Sequence, residues 1–293
     1  MTSVRRAYAR IVGAAAAMAL ATTAAFAEEK DSRTAAGVQD NSFLIEEAYT
    51  QEAGVVQHIQ ALVRVRRDWL YVFAQEWPLG SEWHQFSYAV PYAWIRNDAG
   101  QRVQGIGDVF INYRPLFWAE SATLPAFSTR FSLIVPTGSK SKGIGDGSYG
   151  FESKAAFSKI VSDRVTLHAN AGFLTLFDVD GHHPTSYLLG GSAIYAVTRD
   201  FNLMLETLAV WEQSVNADRL LEREFIYTIS PGFRYALNFP QLNELQVVFG
   251  AATPITFTHG KSTDYGLFFY LSFEHNFLDK KEPEKKALPT KAK

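Results

Sequence analysis

Hydrophobic and polar residues alternate with a period of two along most of the chain after residue 54. On one face of residues 83–95 every position after His84 is apolar: Phe86, Tyr88, Val90, Tyr92 and Trp94. The same alternation, regular or approximate, recurs in twelve segments: 55–66, 69–78, 83–95, 106–118, 127–136, 149–160, 165–176, 187–198, 202–212, 224–238, 244–256 and 264–277. Alternating segments of about ten residues, separated by turn residues, predict antiparallel β-strands. The fold class predicted from this pattern is all-β.

An antiparallel transmembrane β-barrel of about 12 strands fits this pattern. An even strand number lets both ends of the barrel lie on one side of an outer membrane. The connections are alternately short and longer, except for the short link at Arg67-Asp68. A soluble β-sandwich or jelly roll would show the same period, with the aromatic face in a shared core. Six tryptophans near strand ends are typical of interfacial girdles and favour the barrel: Trp69, Trp77, Trp83, Trp94, Trp118 and Trp211.

The barrel, residues 55–277, is flanked by three segments of different composition. Residues 1–27 combine arginines, an Ala-rich apolar stretch and a small-x-small site, which indicates a secretory signal peptide. Residues 28–54 precede the first strand and are expected either to plug the lumen or to rest at the periplasmic rim. Residues 278–293 form a Lys-rich tail that we expect to be disordered.

Charge and composition exclude several classes of function. Removing residues 1–27 takes away three arginines and no acid, so the formal net charge changes from −2 to −5. This balance gives no support for nucleic-acid binding. The chain has no cysteine, which excludes zinc–thiolate sites and a cysteine nucleophile. After residue 27 no uncharged apolar run approaches the length of a membrane-spanning helix.

The tetrapeptide Gly-Ile-Gly-Asp occurs twice, at residues 105–108 and 143–146. A dinucleotide site would require a helix after the glycines, and alternating strands follow instead. A calcium site would require several spaced carboxylates, which neither copy supplies. Glycines at strand ends permit bulges and tight bends. We therefore expect both copies to shape the backbone, and we predict no cofactor and no metal.

Four stretches carry a resemblance to a known family: residues 42–58, 105–114, 131–140 and 145–152. They resemble the outer-membrane family labelled "putative MetA pathway of phenol degradation", whose members are often called transporters. The resemblance covers roughly residues 42–277. It implies a β-barrel in the outer membrane of a Gram-negative bacterium and a channel or uptake role, and it implies no catalysis of phenol breakdown.

Charged and polar residues on the face opposite the aromatic one are the candidate lumen residues. They are His58, Arg64, Asp108, Asn112, Arg114, Arg130, Glu152, Lys154, His168, Glu206, Arg234 and Glu274. Such groups can line a wet pore and bias which solutes pass, or they can pair and fill a narrow lumen. The inward positions assigned to Leu62, Phe110, Phe268 and Tyr270 favour a hydrophobic or aromatic small-molecule solute over an ion.

Two alternatives to a channel remain open. One is a non-conducting structural barrel. The other is a lipid-modifying enzyme, which would need a Ser–His–acid group at the membrane interface. His182 and His183 lie in one loop with Asp178 and Asp180, where solvation is expected rather than a metal. The partners expected for an outer-membrane barrel are lipid, lipopolysaccharide and, through the last strand ending at Phe277, the assembly machinery.

Overall fold

The computed structural model describes residues 32–38, 40–97, 100–216 and 218–277. The proposed signal peptide and Lys-rich tail lie outside these ranges. Within the described residues there are fourteen β-strands, with these bounds: β1 (Val55–Val65), β2 (Asp68–Pro78), β3 (His84–Arg96), β4 (Arg102–Ile106), β5 (Val109–Trp118), β6 (Ala126–Val135), β7 (Gly150–Ser162), β8 (Val165–Leu176), β9 (Thr185–Ala196), β10 (Phe201–Val215), β11 (Leu221–Phe239), β12 (Leu245–Ala252), β13 (Ile255–Thr258) and β14 (Asp264–Asn276). Two short 3₁₀ turns span Thr34–Gly37 and Lys140–Lys142.

The strands form one antiparallel sheet that closes on itself. Strands that are neighbours in the chain pair with each other, except β4 with β5 and β12 with β13, and β1 pairs with β14 from Val55 opposite Asn276 to Val65 opposite Gly266. Both β4 and β5 pair with β3, so β4 and β5 together are one interrupted barrel strand. Both β12 and β13 pair with β11, so β12 and β13 together are another. The fourteen described segments therefore make a twelve-stranded closed barrel, as the alternation predicted. Closure leaves no sheet edge exposed.

The outer wall of the barrel is apolar. The large hydrophobic side chains that alternate with the buried positions are exposed along most strands, for example Leu133, Leu167, Leu189, Leu205, Phe249 and Phe269. In a soluble protein such a continuous belt would be a large unfavourable surface, whereas in a bilayer it contacts lipid. Among the residues described, no helix has the length and apolarity needed to cross a membrane.

The two ends of the barrel differ. We call the end that holds Val55 and Asn276 the terminal end and the opposite end the loop end. Trp77, Trp83 and Trp118 lie at or next to strand ends at the terminal end, and Trp69, Trp94 and Trp211 lie toward the loop end, which matches two interfacial girdles. The longest described connection, residues 136–149, is at the loop end. The difference in loop length is smaller than the sequence predicted, because β10 and β11 extend to Val215 and from Leu221.

The two Gly-Ile-Gly-Asp copies contact each other. The first copy interrupts the strand between β4 and β5, and the inward face changes there from odd to even residue numbers. The Asp108 carboxylate accepts the backbone N–H groups of Gly138 and Asp146, each at 2.9 Å. A Cβ atom added to Gly145 would lie 2.5 Å from Asp108 Oδ1, so only glycine fits. Asp108 therefore anchors the base of the 136–149 loop.

Candidate functional site

Residues 40–51 lie inside the barrel, and we call them the plug. Most of their side chains are buried, and Ala48 is fully enclosed. The chain enters from the terminal end, where the Ala35 N–H donates to the Asp163 carbonyl at 2.8 Å. It leaves at the same end, where the Tyr49 hydroxyl donates to Glu120 and the Thr50 hydroxyl to the Glu82 carbonyl. The plug therefore occupies the lumen without crossing the membrane.

Three cations from the barrel wall converge on the plug residue Glu46. Lys154 Nζ lies 2.9 Å from Glu46 Oε1, which also accepts from Arg130, and Arg114 lies 3.2 Å from Oε2. Glu152 bridges Arg130 at 2.5 Å and Lys154 at 3.5 Å. Burial opposes ionisation of Glu46, yet the charges of Arg130, Lys154 and Arg114 outweigh burial and lower the pKa of its carboxyl group to about 2. The carboxylate is therefore ionised in the lumen.

The start of the plug is held on the opposite wall by Arg234. Its guanidinium group donates to the Val38 carbonyl at 2.9 Å, to the Asn41 carbonyl at 3.1 Å and to the Asp40 carbonyl. A fourth donor bonds Asn202 on β10 at 3.0 Å, which fixes the orientation of the group. The planar guanidinium group of arginine can donate to several backbone oxygens at once.

The Asp40 carboxylate ties the plug to the strands where the barrel closes. It accepts the hydroxyl groups of Tyr270 and Ser272 on β14, each at 2.7 Å, and the Gln57 amide on β1 at 2.8 Å. Phe43 stacks on Phe268 with ring centroids 5.0 Å apart. The plug therefore bridges both sides of the β1–β14 seam.

Side chains of the wall satisfy the backbone of the plug. Glu206 Oε1 accepts the N–H groups of Leu44 at 2.7 Å and Ile45 at 3.1 Å. Asn170 pairs with both the N–H and the C=O of Glu46, at 2.7 and 2.9 Å. An irregular buried segment must find such partners, because unpaired backbone groups are costly away from water.

Glycines in the wall make room for the apolar side chains of the plug. A Cβ atom on Gly190 would lie 2.4 Å from Ile45 Cδ1, and one on Gly250 would lie 2.6 Å from Phe43 Cζ. Both glycines are on the inward phase of their strands. The wall and the plug therefore fit each other at close range, as packed interiors do.

One wall of the lumen becomes apolar toward the loop end, beyond the plug. Its inward residues there are Val63, Val65, Leu70, Val72, Ile95, Phe110, Ile134, Leu174 and Leu176. Ile144 and Val179, from two loop-end connections, pack against the same cluster. Nearer the terminal end many of the inward residues are polar or charged, among them Arg114, Arg130 and Lys154. A solute entering from the loop end would therefore meet an apolar wall first and the charged plug region second.

The structure places most of the candidate lumen residues on the inner face. The buried inward residues are Asn112, Arg114, Arg130, Glu152, Lys154, His168, Glu206 and Arg234. Glu274 shares their phase and lies on β14 near the terminal end, half-buried. Asp108 lies at the bulge and holds a loop instead. Whether any of these residues contacts a solute stays a prediction.

The predicted face of β1 is wrong. His58 faces outward, where its ring stacks on Phe273 at 4.5 Å and bonds Gln75 at 2.7 Å. Arg64 also faces outward, with its guanidinium 5.3 Å from the centre of the Trp69 ring. Leu62 shares this outward phase. The inward phase of β1 holds small apolar residues because this strand lines the apolar wall, so alternation alone does not reveal which face is inside.

Several lumen residues escaped the sequence reasoning. On the wall, Gln85 donates to Glu76 at 2.7 Å, and the Gln51 N–H donates to Gln85 at 2.9 Å. An acid at position 76 of a strand otherwise rich in aromatic and aliphatic residues is a signal that could have identified this position. Within the plug, Asp40, Glu46 and Glu47 carried no comparable signal, because their partners lie on distant strands.

A Ser–His pair is present in the lumen, but its surroundings differ from a hydrolase site. The Ser158 hydroxyl lies 2.7 Å from His168 Nδ1 and also accepts the Ala48 N–H at 2.7 Å. Across the described ranges, no carboxylate is hydrogen-bonded to the His168 ring, which a triad would need. His182 bonds the Arg219 carbonyl at 2.9 Å. No group of three or more potential ligands able to hold a metal ion occurs in the part of the chain that the structure describes.

A closed antiparallel barrel with an apolar outer belt and aromatic girdles is the architecture of outer-membrane proteins, and this architecture locates the chain in an outer membrane. Solved structures with similar folds include an outer-membrane channel. The COG4313 outer membrane channel from Pseudomonas putida F1 matches with a TM-score of 0.57 and 12% identity, covering 78% of this chain and 97% of that chain.

Two further structures are more distant. The NanC porin matches with a TM-score of 0.49 and 8% identity, over 74% of this chain and 98% of that chain. The CymD monoaromatic hydrocarbon channel matches with a TM-score of 0.40 and 8% identity, over 78% and 90%. None of the curated proteins matches this chain. The family described as "Putative MetA-pathway of phenol degradation" matches residues 40–259, which is most of the chain, and the protein therefore belongs to that family.

Proposed function

We propose that this protein is a non-enzymatic outer-membrane channel for small apolar or aromatic solutes, and that the plug gates it. The observation that carries the proposal is the division of the lumen. An apolar wall at the loop end leads to a polar region that is closed by a segment of irregular chain. The family description, which refers to phenol degradation, agrees with an aromatic solute.

The plug is attached in a way that permits its release. It is held by side-chain hydrogen bonds, ion pairs and the packing of Phe43 and Ile45, and it contributes no strand to the barrel. Its departure would leave the hydrogen bonds between the twelve strands intact. A filler that served stability alone would not need a separate segment, since wall side chains fill the lumen of small barrels.

Polar atoms of the wall also retain hydrogen-bonding capacity. Both side-chain polar atoms of Asn112, Asn202 Nδ2, Glu206 Oε2 and the hydroxyl groups of Ser128 and Ser230 are buried without a protein partner in the described residues. Buried polar groups are nearly always satisfied, often by ordered water. These atoms are therefore available to water or to a solute along the lumen, which supports a hydrated path more than a solid filler.

Removal of the N-terminal segment tests the proposal. A form lacking residues 28–52 keeps all of β1, because that strand begins at Val55. We expect this form to show a larger single-channel conductance in planar bilayers than the full chain. Heat-modifiable gel migration checks that both forms are folded barrels. Silence of both forms in planar bilayers would contradict the channel and favour the structural barrel.

We also propose that lipopolysaccharide binds the outer wall at the loop end. A pocket of about 410 Å³ there is lined by Trp69 and Trp94, which face each other across β2 and β3, and by Arg67 and Arg102. Guanidinium groups suit phosphate, and amphipathic indole rings suit the membrane interface. The assembly machinery is proposed as a transient partner, through β14 and the adjoining Phe277.

If lipopolysaccharide binds at this pocket, removing the two arginine charges should reduce the amount of lipid bound to the barrel. Changing Arg67 and Arg102 together to glutamine should remove most of the lipopolysaccharide that co-purifies with the barrel, as measured by native mass spectrometry. Lys142→Gln, in the 136–149 loop, removes a cation at the same end and should have little effect. Equal retention by all three proteins would argue against this site.

A further inference from the structure

The cationic site around Glu46 is built by the wall and filled by the plug. Its three cations come from three adjacent strands, with Arg114 on β5, Arg130 on β6 and Lys154 on β7. Their side chains are each no more than 4% exposed. The acid that they share, Glu46, belongs to the plug and not to a strand of the wall. The wall thus presents a preformed pocket for a carboxylate.

The cations depend unequally on the plug. Arg130 and Lys154 retain a wall partner, Glu152, which lies within 3.5 Å of both. Among the described residues, the acceptors of Arg114 belong to residues 46–49: the Glu46 carboxylate and the carbonyls of Glu47 and Tyr49. When the plug leaves, three positive charges face two acids of the wall, Glu152 and the more distant Glu76 on β2, which interacts with Arg114 and Arg130. Arg114 also loses these acceptors. Leaving buried charges uncompensated is costly, so the empty site would favour another anion.

We propose that Arg114, Arg130 and Lys154 form a binding site for the carboxylate of a small aromatic acid, and that Glu46 occupies this site as an internal mimic of the solute. This inference rests on the proposed channel function and narrows its solute class. Binding of the solute and release of Glu46 are then one exchange, in which the cations keep a carboxylate partner throughout.

The surrounding wall supplies the apolar part of the site. On β5 the inward residues run from Phe110 through Asn112 to Arg114, and on β6 they run from Ile134 through Ser132 to Arg130. Phe110 and Ile134 lie about 13 Å of strand length from the cations toward the loop end. A ring that arrives along this wall therefore has its carboxylate directed toward the three cations. A neutral aromatic solute could use the same wall but would not compete with Glu46.

A cysteine reporter can detect release of the plug. The chain has no native cysteine. Ser230 is fully buried next to Glu206 on the adjacent strand, where the plug backbone is bound, and its hydroxyl makes no hydrogen bond within the described residues. Ser230→Cys in the full chain therefore introduces a thiol beneath the plug at little structural cost. Its rate of modification by N-ethylmaleimide measures how often the plug is displaced.

The test compares benzoate with benzyl alcohol at equal concentration and neutral pH. We expect benzoate to accelerate modification severalfold and benzyl alcohol to leave the rate unchanged. Glu46→Gln should raise the basal rate about tenfold or more, because the buried cations lose their partner. It should also tighten benzoate binding by a similar factor, since the internal competitor is gone. Glu46 is outside the barrel strands, so the barrel still folds.

Glu52→Gln is the matched control, because Glu52 is exposed and lies in the same N-terminal segment. It should change neither the basal rate nor the response to benzoate. Equal acceleration by benzoate and benzyl alcohol, or an unaltered benzoate affinity in Glu46→Gln, would overturn the carboxylate site. The conductance difference between the full chain and the form lacking residues 28–52 does not depend on a carboxylate site, so the channel proposal is judged separately by that measurement.

Discussion

Replacing Arg234 by methionine should release the plug and raise the single-channel conductance close to that of the form lacking residues 28–52. The guanidinium group makes three hydrogen bonds to carbonyls of Val38, Asp40 and Asn41. Hydrogen bonds to charged groups contribute about 1.5–3 kcal/mol each, so their combined loss is large against any docking energy of a short segment. Methionine keeps much of the volume and removes all of the donors.

The control for this change is on the same strand. Arg223 is exposed near the loop end of β11 and has no contact with the plug. Arg223→Met makes the same chemical substitution and should leave the conductance at the wild-type value. A wild-type conductance in Arg234→Met, with heat-modifiable migration intact, would show that the plug is held by other contacts.

Raising the pH from 5 to 9 should loosen the plug, and Glu47→Gln should abolish most of this dependence. Burial raises the pKa of the Glu47 carboxyl group from 4.5 to about 8, and the nearby charge of Asp40 adds to the effect. Glu47 is 6% exposed and lies in the plug. The group is therefore docked in its neutral form at neutral pH.

The direction of this pH dependence follows from the raised pKa of the Glu47 carboxyl group. The contribution of neutral Glu47 to docking of the plug is complete below pH 4.5, where the carboxyl group of the undocked plug is also neutral. This contribution is lost as the pH rises through about 8. Over this range the docking free energy should weaken on the order of a few kcal/mol. Modification of Ser230→Cys, corrected for the thiolate fraction of an unfolded reference peptide, measures the change. A dependence that persists undiminished in Glu47→Gln would assign it to another group.

The strands of this barrel could be predicted from the sequence because each strand has to present apolar side chains to lipid on one face. Leu167, Ala169 and Phe173 alternate with His168 and Asn170, and β8 was predicted with its bounds at residues 165–176. Alternation does not identify the inner face of a strand whose two faces have similar polarity. On β1 the inward face is Ala61, Val63 and Val65, and the outward Arg64 is at the rim over Trp69.

The candidate site was predictable only in part, for a different reason. Inward charges such as Arg130 and Lys154 belong to strands and follow the alternation. Glu46 belongs to a segment with no period, and its wall partners are 68 to 124 residues away in the chain. Such contacts depend on closure of the whole barrel. Local patterns carry no information about them, so the sequence favoured the plug over the periplasmic rim only slightly.

The seam contacts of the plug have a consequence for the order of folding. Asp40 bonds residues of both β1 and β14, and Phe43 stacks on Phe268. The plug is synthesised before the first strand, but its binding site in the barrel is complete only when the last strand has paired with the first. Insertion of the plug is expected to be the final folding step, after closure of the wall. A barrel that stalls before β14 is in place would hold the N-terminal segment outside, accessible to protease, so cleavage of this segment would report on closure in the cell.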